Sequence, residues 1–253
     1  MQEDVHPMNA RSWGVTAVTL AGTAIGVTYV VHAPLIPIIA GEIGLSDLEA
    51  GLVTAALFLA AILTMLAAPG LADRYGPHRT VAAALFLAAA GNGAFALATD
   101  LAGLLAAKAL GGVGAGMGFL SGTRYIAALY GADRSHFGQG LYGAGYPLGS
   151  AIALWAMPPL ALGLGWRGAF AVAAAIVVVL VIPLVLAFMR RDPADMGLEP
   201  DGMRAGGATA DEVEDLEREL ERSVRPEVAM RQSSFWLLAA AFGLTFAGLS
   251  AVL

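Results

Sequence analysis

The sequence predicts an all-α integral membrane protein, and three observations carry that prediction. Of 253 residues, 58% are apolar and only 13% charged, about half the charged share of an ordinary soluble domain. Mean hydropathy is +0.71, and the apolar runs reach roughly 20 residues, the length of a bilayer-crossing helix. The charges are also crowded: 7 of the 14 basic and 12 of the 20 acidic residues lie between Arg190 and Arg231. What remains cannot cover a water-facing surface, so a soluble globule is excluded. Helix rather than strand follows because lipid tolerates no unpaired backbone group and no ten-residue alternation appears.

Seven apolar segments are expected to span, at about 13–40, 48–68, 80–98, 101–120, 138–160, 169–189 and 235–253. The organisation that follows is a cytoplasmic tail (1–12), a six-helix transmembrane bundle (13–189), a cytoplasmic linker (190–232) and a seventh transmembrane helix (233–253). Ser46-Asp47-Leu48-Glu49 fits a capping box opening the second span. Gly76 suits a sharp turn between the second and third spans, and Pro77 a helix restart. Gly22–Gly26, Gly112–Gly116 and Gly145–Gly149 are small-xxx-small spacings that let helix backbones approach closely. In the linker, Val213, Leu216, Leu220 and Val224 share one face of a short amphipathic helix that Pro226 ends.

Orientation is read from Lys and Arg. With the N-terminus inside, the inner loops hold Arg11, Arg74, Arg79, Arg124, Arg134 and the seven basic linker residues, while the outer loops hold only Arg167. That bias sets the N-terminus in the cytoplasm of a multi-pass plasma-membrane protein. Met1–Arg11 lacks the basic start of a cleaved signal, so the first span is read as retained. Trp13, Trp166 and Trp236 stand at expected span starts, as an interfacial aromatic belt requires.

Net charge of −6 comes mostly from the linker and points to no nucleic-acid partner. Without Cys there is no disulfide, thiolate metal site or thiol nucleophile. The four His residues are dispersed and form no metal site or catalytic set, so neither a metal, a cofactor nor an enzyme is expected. Segments related at an offset of 89, such as Gly51-Leu52 with Gly140-Leu141, suggest two inverted three-helix units, a transporter signature.

Two polar residues stand deep in apolar spans, where each is expensive without a partner or water. His32 lies about eight residues before the outer end of span one, and Lys108 about seven after the outer start of span four. At 1.5 Å per residue both fall roughly 10–12 Å below the surface. The sharp reading is a shared anion site, with Lys108 as fixed charge and His32 as titratable donor. The bland one has Lys108 snorkelling outward and His32 bonded to a backbone carbonyl. Tyr29, Tyr142, Tyr146 and Trp155 are candidates to shape a cavity, and plain packing is the alternative.

The stretch Pro69-Gly-Leu-Ala-Asp-Arg-Tyr-Gly-Pro-His-Arg79 resembles the loop motif of the major facilitator superfamily. Leu71, Ala72, Asp73, Arg74, Gly76 and Arg79 match it, while Pro69 and Pro77 depart. Lys108-Ala-Leu-Gly-Gly-Val-Gly-Ala-Gly is similar to the family's fourth-helix pattern with Lys for Arg, and Gly165-Trp-Arg to the opening of its sixth helix. The segment after Arg191 is similar to that of its organic-anion and nitrate/cyanate-like branches. The resemblance implies a secondary active transporter working by alternating access, here its N-terminal half and the start of the seventh helix. It makes Asp73, Arg74, Gly76 and Arg79 gating residues, and Lys108, His32, Tyr29 and Tyr146 the substrate-binding set. The solute expected is small and anionic, with a proton or an exchanged anion as coupling ion. A drug or metabolite efflux carrier and a non-transporting fragment are the alternatives. Seven helices do not close a two-lobed cavity, so a missing half or a second copy is the expected partner, beside the lipid bilayer.

Overall fold

The computed structural model describes residues 7–189 and 236–237, apart from the side chains of residues 7–11, 67–69, 73 and 131–135. Every regular element among the described residues is helical, as the apolar runs demand. Helix α1 (Pro7–Val30) passes through a 3₁₀ turn (Ala33–Leu35) into α2 (Ile36–Ile43). The joint falls where Pro34 and Pro37 withdraw backbone donors. His32 sits in that joint, its carbonyl accepting from Leu35 N at 2.9 Å. Together these pieces make one apolar traverse, Ser12–Ile43.

Gly44 closes α2 in the left-handed region, with φ of 81°. Helix α3 (Asp47–Tyr75) then opens on the expected capping box: Ser46 Oγ accepts from Glu49 N, and the Glu49 carboxylate accepts from Ser46 N at 2.8 Å. Gly76, at φ 83°, turns the chain into α4 (Pro77–Leu97), where Pro77 takes the first helical position. Asp100 opens the next helix by accepting from Gly103 N at 2.8 Å.

Helix α5 (Leu101–Ile176) is a run of 76 residues that contains Pro147, Pro158 and Pro159. Straight, it would measure about 114 Å, several times the hydrocarbon thickness. It is folded instead. Tyr142 Oη donates to Gly118 O at 2.8 Å, and Gln139 Nε2 to Thr123 O at 2.8 Å. The chain therefore reverses between Leu101–Tyr130 and the segment that begins at His136. A second reversal falls at Gly165, whose φ is +71°. Beyond it Phe170 stacks on Phe95, and Phe188 on Trp13. A π-helical turn (Val177–Val181) and α6 (Ile182–Phe188) finish this traverse. Five helical stretches are long and apolar enough to cross a membrane. The last of them is 53 residues long, and the Gly165 turn falls inside it.

Six helices converge because glycine lets them touch. A Cβ on Gly149 would collide with the backbone of Thr23, and one on Gly26 with that of Tyr146. Likewise Gly112 and Gly116 press on the α3 backbone at Leu57 and Ala61. All three small-xxx-small pairs thus lie at helix crossings.

Two apolar cores result. One, toward the Trp13 end, gathers Val18, Ile25, Leu85, Ile126 and Leu129 around Tyr125 and Tyr142. The other, toward Glu42, gathers Val31, Leu35, Ile39 and Leu104 around Phe95, Trp166 and Phe170. Leu59, Leu63, Leu66 and Leu162 stay exposed on the outside, where lipid would meet them. By contact the chain divides into 1–202 and 203–253. In the second unit only Trp236 and Leu237 are described, both helical and exposed. The expected linker, its amphipathic helix and most of the seventh span lie outside the described residues.

Trp166, at its expected span start, packs inside the bundle at 3% exposure. The Gly165 turn swings its ring inward, edge-on to Phe95 and Phe170. Trp13, by contrast, is exposed and stacks on Phe188 at 4.9 Å.

Candidate solute site

Polar groups inside the bundle come from four traverses. On α1, Thr28 Oγ1 donates to Ala24 O at 3.2 Å and accepts from Asn92 Nδ2 of α4, also at 3.2 Å. One turn on, His32 Nε2 and Thr54 Oγ1 of α3 are 2.7 Å apart. Its Nδ1 has no hydrogen-bond partner among the described residues. Lys108, on α5, is 1% exposed and its Nζ likewise has none. Lys108 is one of the charges close enough to act on the His32 imidazole.

What Lys108 faces is not legible from depth alone. Its Nζ stands 4.9 Å from the centre of the Phe95 ring and 5.5 Å from that of Phe170. Those rings stack at 4.4 Å and 22°. Each cation–π contact in a dry setting contributes about 2 kcal/mol, whereas burying a bare ammonium costs several. The rings offset that cost only in part. No carboxylate helps: the acidic residues whose side chains are described, Glu42, Asp47, Glu49 and Asp100, stand at helix ends. Snorkelling is excluded by burial, and the His32 partner is a hydroxyl rather than a backbone carbonyl.

Tyr29 and Tyr146 form a second group. Tyr29 stacks on Phe58 at 5.5 Å and lies 6.2 Å from Tyr146. Tyr146 Oη meets Tyr142 Oη at 2.6 Å and packs edge-on to Phe119 at 5.4 Å. The structure therefore brings the four sequence candidates together in pairs, His32 with Lys108 and Tyr29 with Tyr146. The α1 backbone is the link, since Tyr29 and His32 are one turn apart. Trp155, a cavity candidate, is instead 81% exposed.

At the Gly76 turn, Arg74 is exposed with its guanidinium 5.4 Å from the Tyr75 ring, and Arg79 is exposed as well. The side chain of Asp73 lies outside the described residues. Sequence reading missed Phe95, Phe170 and Phe58, which resemble any other core aromatic in a chain this apolar. Asn92, a polar residue in the third span, was the one visible signal.

The sequence profile of the Major Facilitator Superfamily matches residues 18–253. The chain belongs to that superfamily. It is 32% identical over 160 residues to a 2-nitroimidazole transporter of Escherichia coli (strain K12), covering 61% of this chain and 39% of that protein. It is 25% identical over 142 residues to the sialic acid transporter NanX of the same organism, covering 56% and 34%. The chain thus spans well under half the length of these relatives. Among solved structures it is similar to the proton:xylose symporter XylE, with a TM-score of 0.67 at 14% identity over 89% of this chain and 56% of that one. A peptide transporter in complex with alafosfalin gives 0.62 at 20% identity, over 94% and 51%. These two likenesses establish the fold. Both of these curated relatives are named as transporters, and the chain shares their superfamily.

Proposed function

We propose that the chain is the N-terminal lobe of a secondary active carrier for a small organic anion. The observation that carries this reading is Lys108, a fully buried amine with neither hydrogen-bond partner nor counter-charge among the described residues. A negative solute group would compensate it, with His32 Nδ1 as a second polar contact. Tyr29 and Tyr146 would flank the solute one turn along. The relatives' names fit a site that joins a cation to aromatic rings: one moves a sugar acid, the other a nitro-substituted heteroaromatic.

In this reading the N-terminus is cytoplasmic, and the Glu42 end faces outward across the plasma membrane. Two inverted three-helix repeats build the lobe, followed by the linker and the seventh span. Asp73, Arg74, Gly76 and Arg79 gate the inner side. Alternation of access requires a second lobe or a second copy, and coupling runs through a proton or an exchanged anion.

Uptake of radiolabelled aromatic and sugar carboxylates by cells expressing the chain tests the proposal. Saturable uptake is expected, lost in Lys108→Ala at unchanged membrane insertion and partly kept in Lys108→Arg. Identical kinetics for wild type and Lys108→Ala would end the assignment. Crosslinking in the same membranes reads whether a second copy supplies the missing wall.

A further inference from the structure

A continuous file of contacts runs from the surface at the Glu42 end down to Lys108. Glu42, in the last turn of α2, accepts from Trp166 Nε1 at 2.7 Å through one carboxylate oxygen. Its other oxygen pairs with Arg167 Nη1. Arg167 Nη2 donates to Ala98 O at 3.2 Å, at the end of α4, and its guanidinium lies 4.1 Å from the Trp166 ring centre. Three traverses are tied in this way by one acid and one base. Below them Trp166 stands edge-on to Phe95 at 6.0 Å and to Phe170 at 6.3 Å. Those two rings hold the amine.

Each link has a physical role. Left-handed backbone at Gly165 is open to glycine and costs other residues about 1–2 kcal/mol, and it turns Trp166 inward. A hydrogen bond from the indole to an ionised carboxylate is stronger than a neutral one. The ion pair itself is exposed, 39% for Arg167 and 49% for Glu42, so its own contribution is small. It is therefore a tie that can be made and released at the surface while the indole beneath it stays dry.

We propose that Glu42, Trp166 and Arg167 form a latch that seals Lys108 in its phenylalanine seat. They are positioning residues of the Lys108 site, and releasing them opens a route from the Glu42 end by which a small organic anion reaches the amine. The nature of the solute rests on the anion reading above; the seal does not. In the latched arrangement the amine is held by rings, and in the released one by the solute's negative group. The cation–π seat thus competes with the anion for the same nitrogen.

Lys108 is the sole lysine of the chain, so an amine-reactive acylating reagent has two targets, this residue and the N-terminus, and the second serves as internal reference. The full chain in lipid nanodiscs is acylated and the modified fraction read by peptide mass. Glu42→Gln and Trp166→Phe should acylate at Lys108 roughly five- to tenfold faster than wild type, the factor that about 1 kcal/mol or more of lost tie produces. The charge exchange Glu42→Arg/Arg167→Glu rebuilds only the exposed ion pair and offers no acceptor to the Trp166 indole, so it should leave Lys108 acylating faster than wild type. Sodium benzoate, as a probe anion, should slow acylation of the unlatched variants.

Equal rates in wild type and both variants, each shown folded by gel filtration, overturn the latch whatever benzoate does. Faster acylation without benzoate protection upholds the latch and sinks the anion reading instead. Should one variant fail to fold, the other decides. A merely structural tie would raise the rate at Lys108 only in step with lost stability, so faster acylation at an unchanged unfolding temperature in detergent is the result that upholds the latch.

Discussion

The two cores of the bundle bury different polar atoms. Toward the Trp13 end, the Tyr142 hydroxyl donates to Gly118 O at 2.8 Å and meets Tyr146 Oη at 2.6 Å. Its ring is buried, its one polar atom is satisfied, and the tie holds two passes of α5 together. Toward Glu42, a buried amine and an imidazole nitrogen have no hydrogen-bond partner among the described residues. Thr19 Oγ1 and Ser121 Oγ, nearer the Trp13 end, also lack a hydrogen-bond partner among the described residues, but an unmet hydroxyl costs about 1–3 kcal/mol and an unmet charge more. In the proposed function the Glu42 end is the one a solute completes.

Four changes would break or sharpen that contrast. The largest effect belongs to a crossing that both cores depend on. Gly149→Leu drives a side chain into the Thr23 backbone, and should destabilise the lobe by about 3 kcal/mol or abolish insertion, read as loss of a monodisperse detergent peak. Lys108→Met is expected to move the other way. Removing the uncompensated charge while keeping the volume should stabilise by about 1–3 kcal/mol, seen as a higher unfolding temperature in detergent, while uptake is lost. If stability falls instead, the amine has a partner and the comparison fails.

Tyr142→Phe should cost about 1–1.5 kcal/mol in the same assay, because Gly118 O and Tyr146 Oη both lose a contact. Opposite signs for Lys108→Met and Tyr142→Phe are the sharpest form of the contrast. The smallest change lies outside both cores. Ser46→Ala removes the cap of α3 and should cost about 0.5–1 kcal/mol with uptake unaffected.

Turns and close approaches were legible because each depends on one residue's backbone chemistry. Ser46 and Glu49 announced a cap, Gly76 with Pro77 a reversal, and the glycine pairs at four-residue spacing the helix crossings. That His32 and Lys108 would be buried inside the bundle was an open alternative in the sequence, and the structure buries both to 1% exposure. Which way each side chain points around its helix was not legible. In a soluble helix an apolar stripe marks the inner face; here lipid and core are both apolar, so no stripe survives. Hence the sequence did not say that Trp155 would stand exposed on this lobe or that Trp166 would pack inside it.

By itself the chain of residues determined the solvent, the helices and their turns, because these follow from hydropathy and backbone dihedrals. Only tertiary packing decided the rotation of each helix. It put Lys108 against Phe95 and Phe170 rather than the tyrosines, and joined Glu42 to Arg167 across 125 positions of sequence. Rotation is settled by contacts between distant residues, and those contacts come into being when the helices meet.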